Sequence, residues 1–267
     1  MRNIKILSNR KILLPVCVFT GLILFWEIAV RALHIPLYVL PAPSGVALAL
    51  IKNASVIWMH SLVTLEETLI GMAISVVLAV LIALAMDASP SLKSAIYPLL
   101  VVTQTVPVIV LAPLFVIYFG FGLAPKVIIV VLVCFFPVTV SFCDGLGRVD
   151  AGLLSLLKSF GAKKVQTYLI AKIPAAAPEL FSGLKVSATY SIMGAVVGEW
   201  LAADKGLGRY MLISKNGYML DKVFASVVAV VVLSLLMNGL FKLIGHICVP
   251  HARKDRRRET GGMRKST

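Results

Sequence analysis

Charge is scarce in this 267-residue chain. Only 14% of its residues are charged and 59% are hydrophobic, and its mean hydropathy is +0.95. A soluble domain carries about a quarter charged residues, so no stretch supplies the polar surface that a soluble domain needs, and a single membrane domain is expected. Nucleotide and hydrolase signatures are missing as well. No G-x-x-x-x-G-K-[ST] occurs, so the chain lacks that phosphate cradle. H-E-x-x-H and G-x-S-x-G are also absent, which leaves an intramembrane enzyme without support. Cys17, Cys134, Cys143 and Cys248 form no C-x-x-C pair, and His34, His60, His246 and His251 lack ligand spacing. The expectation is a chain that is not an enzyme and holds no metal or cofactor of its own.

What is present is a series of apolar runs. Six candidate spans cover residues 12–30, 65–86, 95–119, 124–143, 184–203 and 223–247. The first follows Arg2, Lys5, Arg10 and Lys11, as a signal peptide would. Its length matches a bilayer crossing and no A-x-A site follows, so it is expected to remain as an uncleaved span. Acids are fewer than bases, 12 against 26. A net charge of +14 in a soluble protein would suggest nucleic acid. Here the bases lie in loops and tails between apolar spans, so no nucleic-acid partner is assigned. Most Lys and Arg fall in residues 1–11, at Lys93, in the stretch from Arg148 to Lys185, and in the tail "HARKDRRRETGGMRKST". The opposite loops hold only Arg31, Lys52, Lys126, Lys205, Arg209, Lys215 and Lys222. The positive-inside bias then puts both termini in the cytoplasm. The division is a cytoplasmic segment 1–11, a six-span domain 12–247 with a loop at about 145–183, and a basic tail 248–267 that can touch membrane lipid.

That loop is the longest cytoplasmic connection, and it is patterned. Leu153, Leu156, Leu157 and Phe160 recur at helical spacing behind Asp150, a candidate N-cap. Gly161 can end this helix in a left-handed conformation. A second short helix follows, with Val165, Tyr168 and Leu169 on one face. It is expected to stop near Ile173, because Pro174 disfavours helical geometry in the residue before it. From these residues alone, an amphipathic hairpin on the membrane surface and a docking element for a soluble partner are both open.

Polar and small residues inside the spans are the other candidates. In the fifth span Ser187, Ser191 and Ala195 form one four-spaced row, and Gly194, Gly198 and Ala202 a second, which suits close helix packing within one subunit or at a dimer seam. Glu199 lies near the outer end of that span, either touching solute or gate or resting at the headgroups. Thr103, Gln104 and Thr105 precede Pro107 and Pro113 in the third span, where prolines can bend a helix beside a cavity. Ordinary interhelical hydrogen bonding is the plainer reading of that polar cluster. Glu66 and Glu67 are expected to be surface charges at the outer end of the second span.

At the loop the chain resembles the permease subunits of binding-protein-dependent ABC importers. Their signature is E-A-A, three residues, G, nine residues, then I-x-L-P. Set on Gly161, it places Ser155, Leu156 and Leu157 at E-A-A, Ala171 at I, and Ile173 and Pro174 at L-P. Ser155 departs from the acidic start, as in the nitrate/sulfonate/taurine branch. "YVLPAPSGV", "SLVTLEETLIGMAISVVLAV", "QTVPVIVLAPLFVIYFGFGLAPKV" and "VVGEWLAADKGLGRYM" resemble the same branch in order. The resemblance implies an all-α integral membrane protein of the type I ABC importer permease fold, with six transmembrane helices and a cytoplasmic coupling-helix loop, in the bacterial cell (inner) membrane. It implies a second permease copy in a homodimer, ABC ATPase subunits that use ATP and Mg, and an extracytoplasmic binding protein that delivers the solute. Ser155, Phe160, Gly161, Ala162, Val165, Tyr168 and Pro174 would couple to the ATPase. Gln104, Pro107, Met193 and Glu199 would line the pathway, and Gly194 and Gly198 would pack helices. The solute implied is a pyrimidine or thiamine precursor, or a sulfonate- or nitrate-type anion. An ion-coupled secondary transporter or channel is the alternative, although such proteins often show related halves and no internal repeat is visible here.

Overall fold

The computed structural model describes residues 2–248, so the expected basic tail lies outside the described residues apart from Cys248, and side chains are described from residue 13 onward. Every described regular element is helical. They are α1 (Arg2–Ala32), α2 (Pro43–Lys52), α3 (Ala54–Ala88), α4 (Pro90–Thr105), α5 (Val108–Phe119), α6 (Leu123–Gly147), α7 (Ala151–Ser159), α8 (Lys164–Thr167), α9 (Ile173–Ala202), α10 (Leu207–Asn216) and α11 (Leu220–Cys248). Among the described residues, five helices are long and apolar enough to cross a membrane, or six spans if the bent pair α4–α5 counts as one.

The centre is α6, packed between α3 and α9. Small residues set how close these backbones come. A β-carbon at Gly183 would lie 2.7 Å from the Pro137 carbonyl oxygen, and one at Gly198 would lie 2.9 Å from Lys126 Cα. Between them, Ser187 Oγ donates to the Cys134 carbonyl at 2.9 Å and Gly194 faces Val130. Thus both small-residue rows of the fifth span are buried, and the glycine row runs antiparallel along α6 of the same chain. On the other side, Gly71 of α3 meets Val130, whose Cβ would be 2.6 Å from an added β-carbon. By contrast α1 leaves Leu14, Phe19 and Phe25 exposed and touches α11 through Trp26 and Phe224, whose rings lie 5.7 Å apart.

Three expectations change. The third span, read as 95–119, is not one rod: α4 and α5 meet at 97°. Pro107 has no N–H to donate and forces Val106 into extended geometry, ψ 118°. The fifth span, read as 184–203, starts far earlier, because the chain is continuously helical over Lys164–Ala202. It does not stop before Pro174. Tyr168–Lys172 forms a π-helical turn, and Ile173 stays helical at φ −64°, ψ −48°, its N–H reaching the Tyr168 carbonyl. The wider turn gives the Pro174 ring room against the preceding carbonyls, although Pro137 and Pro178 are carried inside ordinary α-helix. Finally, the second span was read from residue 65, yet α3 begins at Ala54. At 1.5 Å per residue its 35 residues reach about 52 Å, beyond a hydrocarbon core of about 30 Å, so hydropathy misses its first three turns.

The α6–α9 seam gives a stability test. Gly183→Val must push the α9 backbone off Pro137, an overpacking that typically costs about 1–3 kcal/mol. It should lower the thermal midpoint of the detergent-solubilised protein. Gly239→Ala, with nothing within 4 Å of the new β-carbon, should leave the midpoint unchanged or raise it, since the helix propensity gained is up to about 1 kcal/mol.

Candidate functional site

The loop between α6 and α9 is built by local chemistry. Asp150 caps α7 by accepting the Gly152 N–H at 3.1 Å. At the other end, Gly161 sits at φ +74°; its N–H reaches the Lys158 carbonyl and that of Ala162 reaches Leu157, both at 3.0 Å. This paired closure is a Schellman motif, and its left-handed position suits glycine. Gln166 Oε1 then accepts the Lys163 N–H at 2.7 Å to start α8. The result is a helix–glycine–helix knuckle projecting from one end of the bundle. Its apolar side chains point out: Phe160 is 80% exposed and Val165 68%, with Leu153 and Leu156 beside them. Ser155 and Gly161 are exposed and Ala162 is half-buried.

Tyr168 behaves differently from its neighbours. It is half-buried, and its hydroxyl donates at 2.5 Å to Asp87 Oδ2 at the end of α3. Lys172 Nζ reaches the same oxygen at 2.6 Å and lies 5.1 Å from the Tyr168 ring centre. So Tyr168, expected to fill a partner's groove, turns into its own subunit, and Pro174 lies within the span rather than at an exit. Arg148 and Glu179 pair at 3.0 Å across the base of the loop.

At the opposite end of the bundle is a buried polar cluster. Glu199 is fully buried. Its Oε1 accepts from Thr64 Oγ1 at 2.6 Å, and its Oε2 accepts the Gly208 N–H at 2.5 Å. Thr64 Oγ1 also accepts the Leu207 N–H at 2.9 Å, and His60 Nδ1 accepts the Gly206 N–H at 2.9 Å. The first amides of α10, which no helix can satisfy internally, are therefore capped by side chains of α3 and α9. The His60 ring stacks on Tyr210 at 5.2 Å. Gly206 and Gly208 leave space for the carboxylate, since a β-carbon at either would press on Glu199.

Glu199 is closed over by α3 and α10 rather than lying on an open face. One expectation is corrected here. Glu67, read as a surface charge, is 1% exposed and paired with Lys126, itself buried in the first turn of α6 rather than in an outer loop. The early start of α3 explains this, for Glu67 lies more than three turns inside that helix. A stripe of polar and small residues, His60, Thr64, Glu67, Gly71 and Ser75, runs at three-to-four spacing along one face of α3 and carries the signal. Removing one partner of such a buried pair costs about 3–5 kcal/mol.

Of the other candidates, Gln104, Pro107 and Met193 are exposed. Met193 continues a stripe on α9 with Val186, Tyr190 and Trp200. Thr103 and Thr105 bond back to the Leu100 and Val102 carbonyls of their own helix, both at 2.7 Å, rather than across to another.

The α10 cap can be tested directly. A buried amide left without its acceptor costs about 1–3 kcal/mol. Glu199→Gln should therefore speed hydrogen exchange at the Gly208 amide by about tenfold or more, measured by mass spectrometry, while amides at the middle of α6 stay protected. Equal exchange in both proteins would show that Glu199 does not hold α10.

This geometry has known counterparts. The family described as "Binding-protein-dependent transport system inner membrane component" matches residues 75–247. A probable ABC transporter permease protein of Haemophilus influenzae is 34% identical over 85% of this chain and 93% of its own length. The formylaminopyrimidine transport permease protein ThiX of Halalkalibacterium halodurans is 35% identical over 90% of this chain and 96% of its own. Among solved structures, an amino acid ABC transporter chain aligns with a TM-score of 0.61 at 20% identity, covering 74% of this chain and 97% of that one. The inward-facing MetNI methionine ABC transporter aligns at 0.58 and 18%, covering 69% and 94%. The architecture is thus that of type I ABC importer permeases. The projecting knuckle, the apolar helices and these likenesses agree: the chain belongs to the family of binding-protein-dependent transport system inner membrane components, as a multi-pass ABC permease subunit that works with a separate ATPase and a substrate-binding protein.

Proposed function

We propose that two copies of this chain form the pathway of an importer for a small, uncharged, planar heterocycle of the pyrimidine class. The observation that carries the transport mechanism is the exposed apolar knuckle, Phe160 and Val165 around left-handed Gly161. Such side chains are costly to leave in water and suit a groove on the ATPase, which supplies the ATP and Mg chemistry. Ser155 and Ala162 border the same surface. With the knuckle in the cytoplasm, the N-terminal end of α1 and the C-terminal end of α11 are on that side as well. Trp26 near the end of α1 meets Phe224 at the start of α11, and Gly245 near the end of α11 meets Phe181, early in α9.

The solute class is argued from charge. No Asp, Glu, Lys or Arg occurs between Lys93 and Lys126, the stretch that exposes Gln104 and Pro107. The stripe of Val186, Tyr190, Met193 and Trp200 is uncharged too. An anion leaving water needs a charged or strongly donating partner, whereas an aromatic ring with amide-like edges is served by Tyr, Trp and Gln. The likeness to a formylaminopyrimidine permease supports this reading. The likeness to the taurine permease TauC of Escherichia coli, 27% identical, keeps a sulfonate as the second reading. Membrane lipid covers the remaining exposed apolar surface, that of α1 included.

Two experiments test these points. Gly161→Asp should leave membrane insertion intact and uncouple ATP hydrolysis from uptake in the assembled transporter; normal solute uptake would overturn the loop assignment. In a thermal-shift comparison on the cognate binding protein, a formylaminopyrimidine should raise the midpoint and an alkyl sulfonate should not. The reverse result would assign the second reading.

A further inference from the structure

The polar contacts at the two ends of the bundle join the same two helices. Near the loop, Asp87 at the end of α3 holds Tyr168 and Lys172 in the π-helical turn that leads into α9. At the far end, Thr64 of α3 holds Glu199 of α9. Between these pins the helices run side by side, with Gly71 and Gly194 both set against Val130 of α6. Two rods pinned at both ends cannot slide past each other, so a push on one is carried by both. The far pin also includes the first amides of α10, through Thr64, His60 and Glu199.

We propose that Asp87 is a positioning residue for coupling: its contact with Tyr168 and Lys172 locks α3 to α9, so that movement of the knuckle reaches α10 on the opposite face of the membrane. Three features single it out. The carboxylate is largely buried, 9% exposed at the side chain, and Lys172 is 17% exposed, so the link is shielded from competing water and salt. One oxygen takes two donors from a single turn, which fixes direction as well as distance. The turn is π-helical, the irregularity that recurs at functional sites in helices. Without this pin, the knuckle would still drive α9, but α3 and its grip on α10 would lag.

This inference rests on the reading of the knuckle as the ATPase-facing element, and one experiment separates the two. In the complete complex with its ATPase in proteoliposomes, an environment-sensitive dye is placed on Lys215→Cys, an exposed position of α10, with Cys17 and Cys248, the exposed cysteines, replaced by serine. Trapping with ATP and vanadate should change the dye's emission. Asp87→Asn should abolish most of that change while leaving vanadate-trapped nucleotide at the normal level. The charge swap Asp87→Lys with Lys172→Asp should restore at least half of it, which a purely structural loss would not do. Tyr168→Phe keeps the ion pair and should reduce the response partially, giving a second reading if Asp87→Asn fails to assemble. A full response in Asp87→Asn, or in Tyr168→Phe where Asp87→Asn does not assemble, overturns the proposal, as does no response in the unsubstituted protein. If Gly161→Asp keeps the full response, the knuckle reading fails instead.

Discussion

The close approach of the α6 and α9 backbones is the constraint on which the rest of the structure depends. In lipid no hydrophobic gain drives helices together, so contact comes from fit and from hydrogen bonds between helices. Gly183, Ser187, Gly194 and Gly198 supply both, matched in antiparallel order to Pro137, Cys134, Val130 and Lys126. Because α6 also takes α3 on its other side through Gly71, the three helices form one slab. The remaining elements hang from it: α11 on α9, α2 on α11, and α1 loosely at the edge. The slab brings the knuckle and the α10 cap to opposite ends of one framework.

Polar side chains within the slab obey a common rule. Each buried charged side chain that bridges elements meets a partner across them: Asp87 with Lys172, Glu67 with Lys126, Glu199 with Thr64, while the Ser187 hydroxyl ties the middle of α9 to α6. Burying a charge without a partner is prohibitive, and in these pairs the partner always comes from another helix. Such contacts fix the rotation of each helix about its axis, which apolar packing alone leaves poorly specified. They also explain how a helix as short as α10 holds its place: its first amides are satisfied by residues more than 140 positions away in the case of Thr64 and His60.

Much of this was legible in the sequence, and the parts that were not have a physical reason. Asp150, Gly161 and the apolar repeat between them announce α7 and its end, because capping and left-handed turns are local chemistry. The span cores are visible in hydropathy. Pairing across the bundle is not, since nothing near Glu67 in sequence names Lys126. The glycines flanking Leu207 hold a clue: a G-x-G a few residues past a span that ends in an acid makes room for the carboxylate to fold back on the next helix. Pro174 misled because the rule for residues before proline is a bias and not a stop: the chain stays helical through Pro174, Pro178 and Pro137. At Pro107 the same bias prevailed, and there the chain broke at 97°.

The π-helical turn has a consequence beyond room for a ring. It amounts to one residue inserted into a helix that otherwise runs at about 100° per residue. Everything on the knuckle side is therefore out of phase with the faces of α9 by that angle. An uninterrupted helix would aim Val165 at a different quadrant, and removing one residue from the turn would swing the docking surface round without altering a single side chain on it. The bearing of the knuckle is thus set by the wide turn rather than by the knuckle's own sequence.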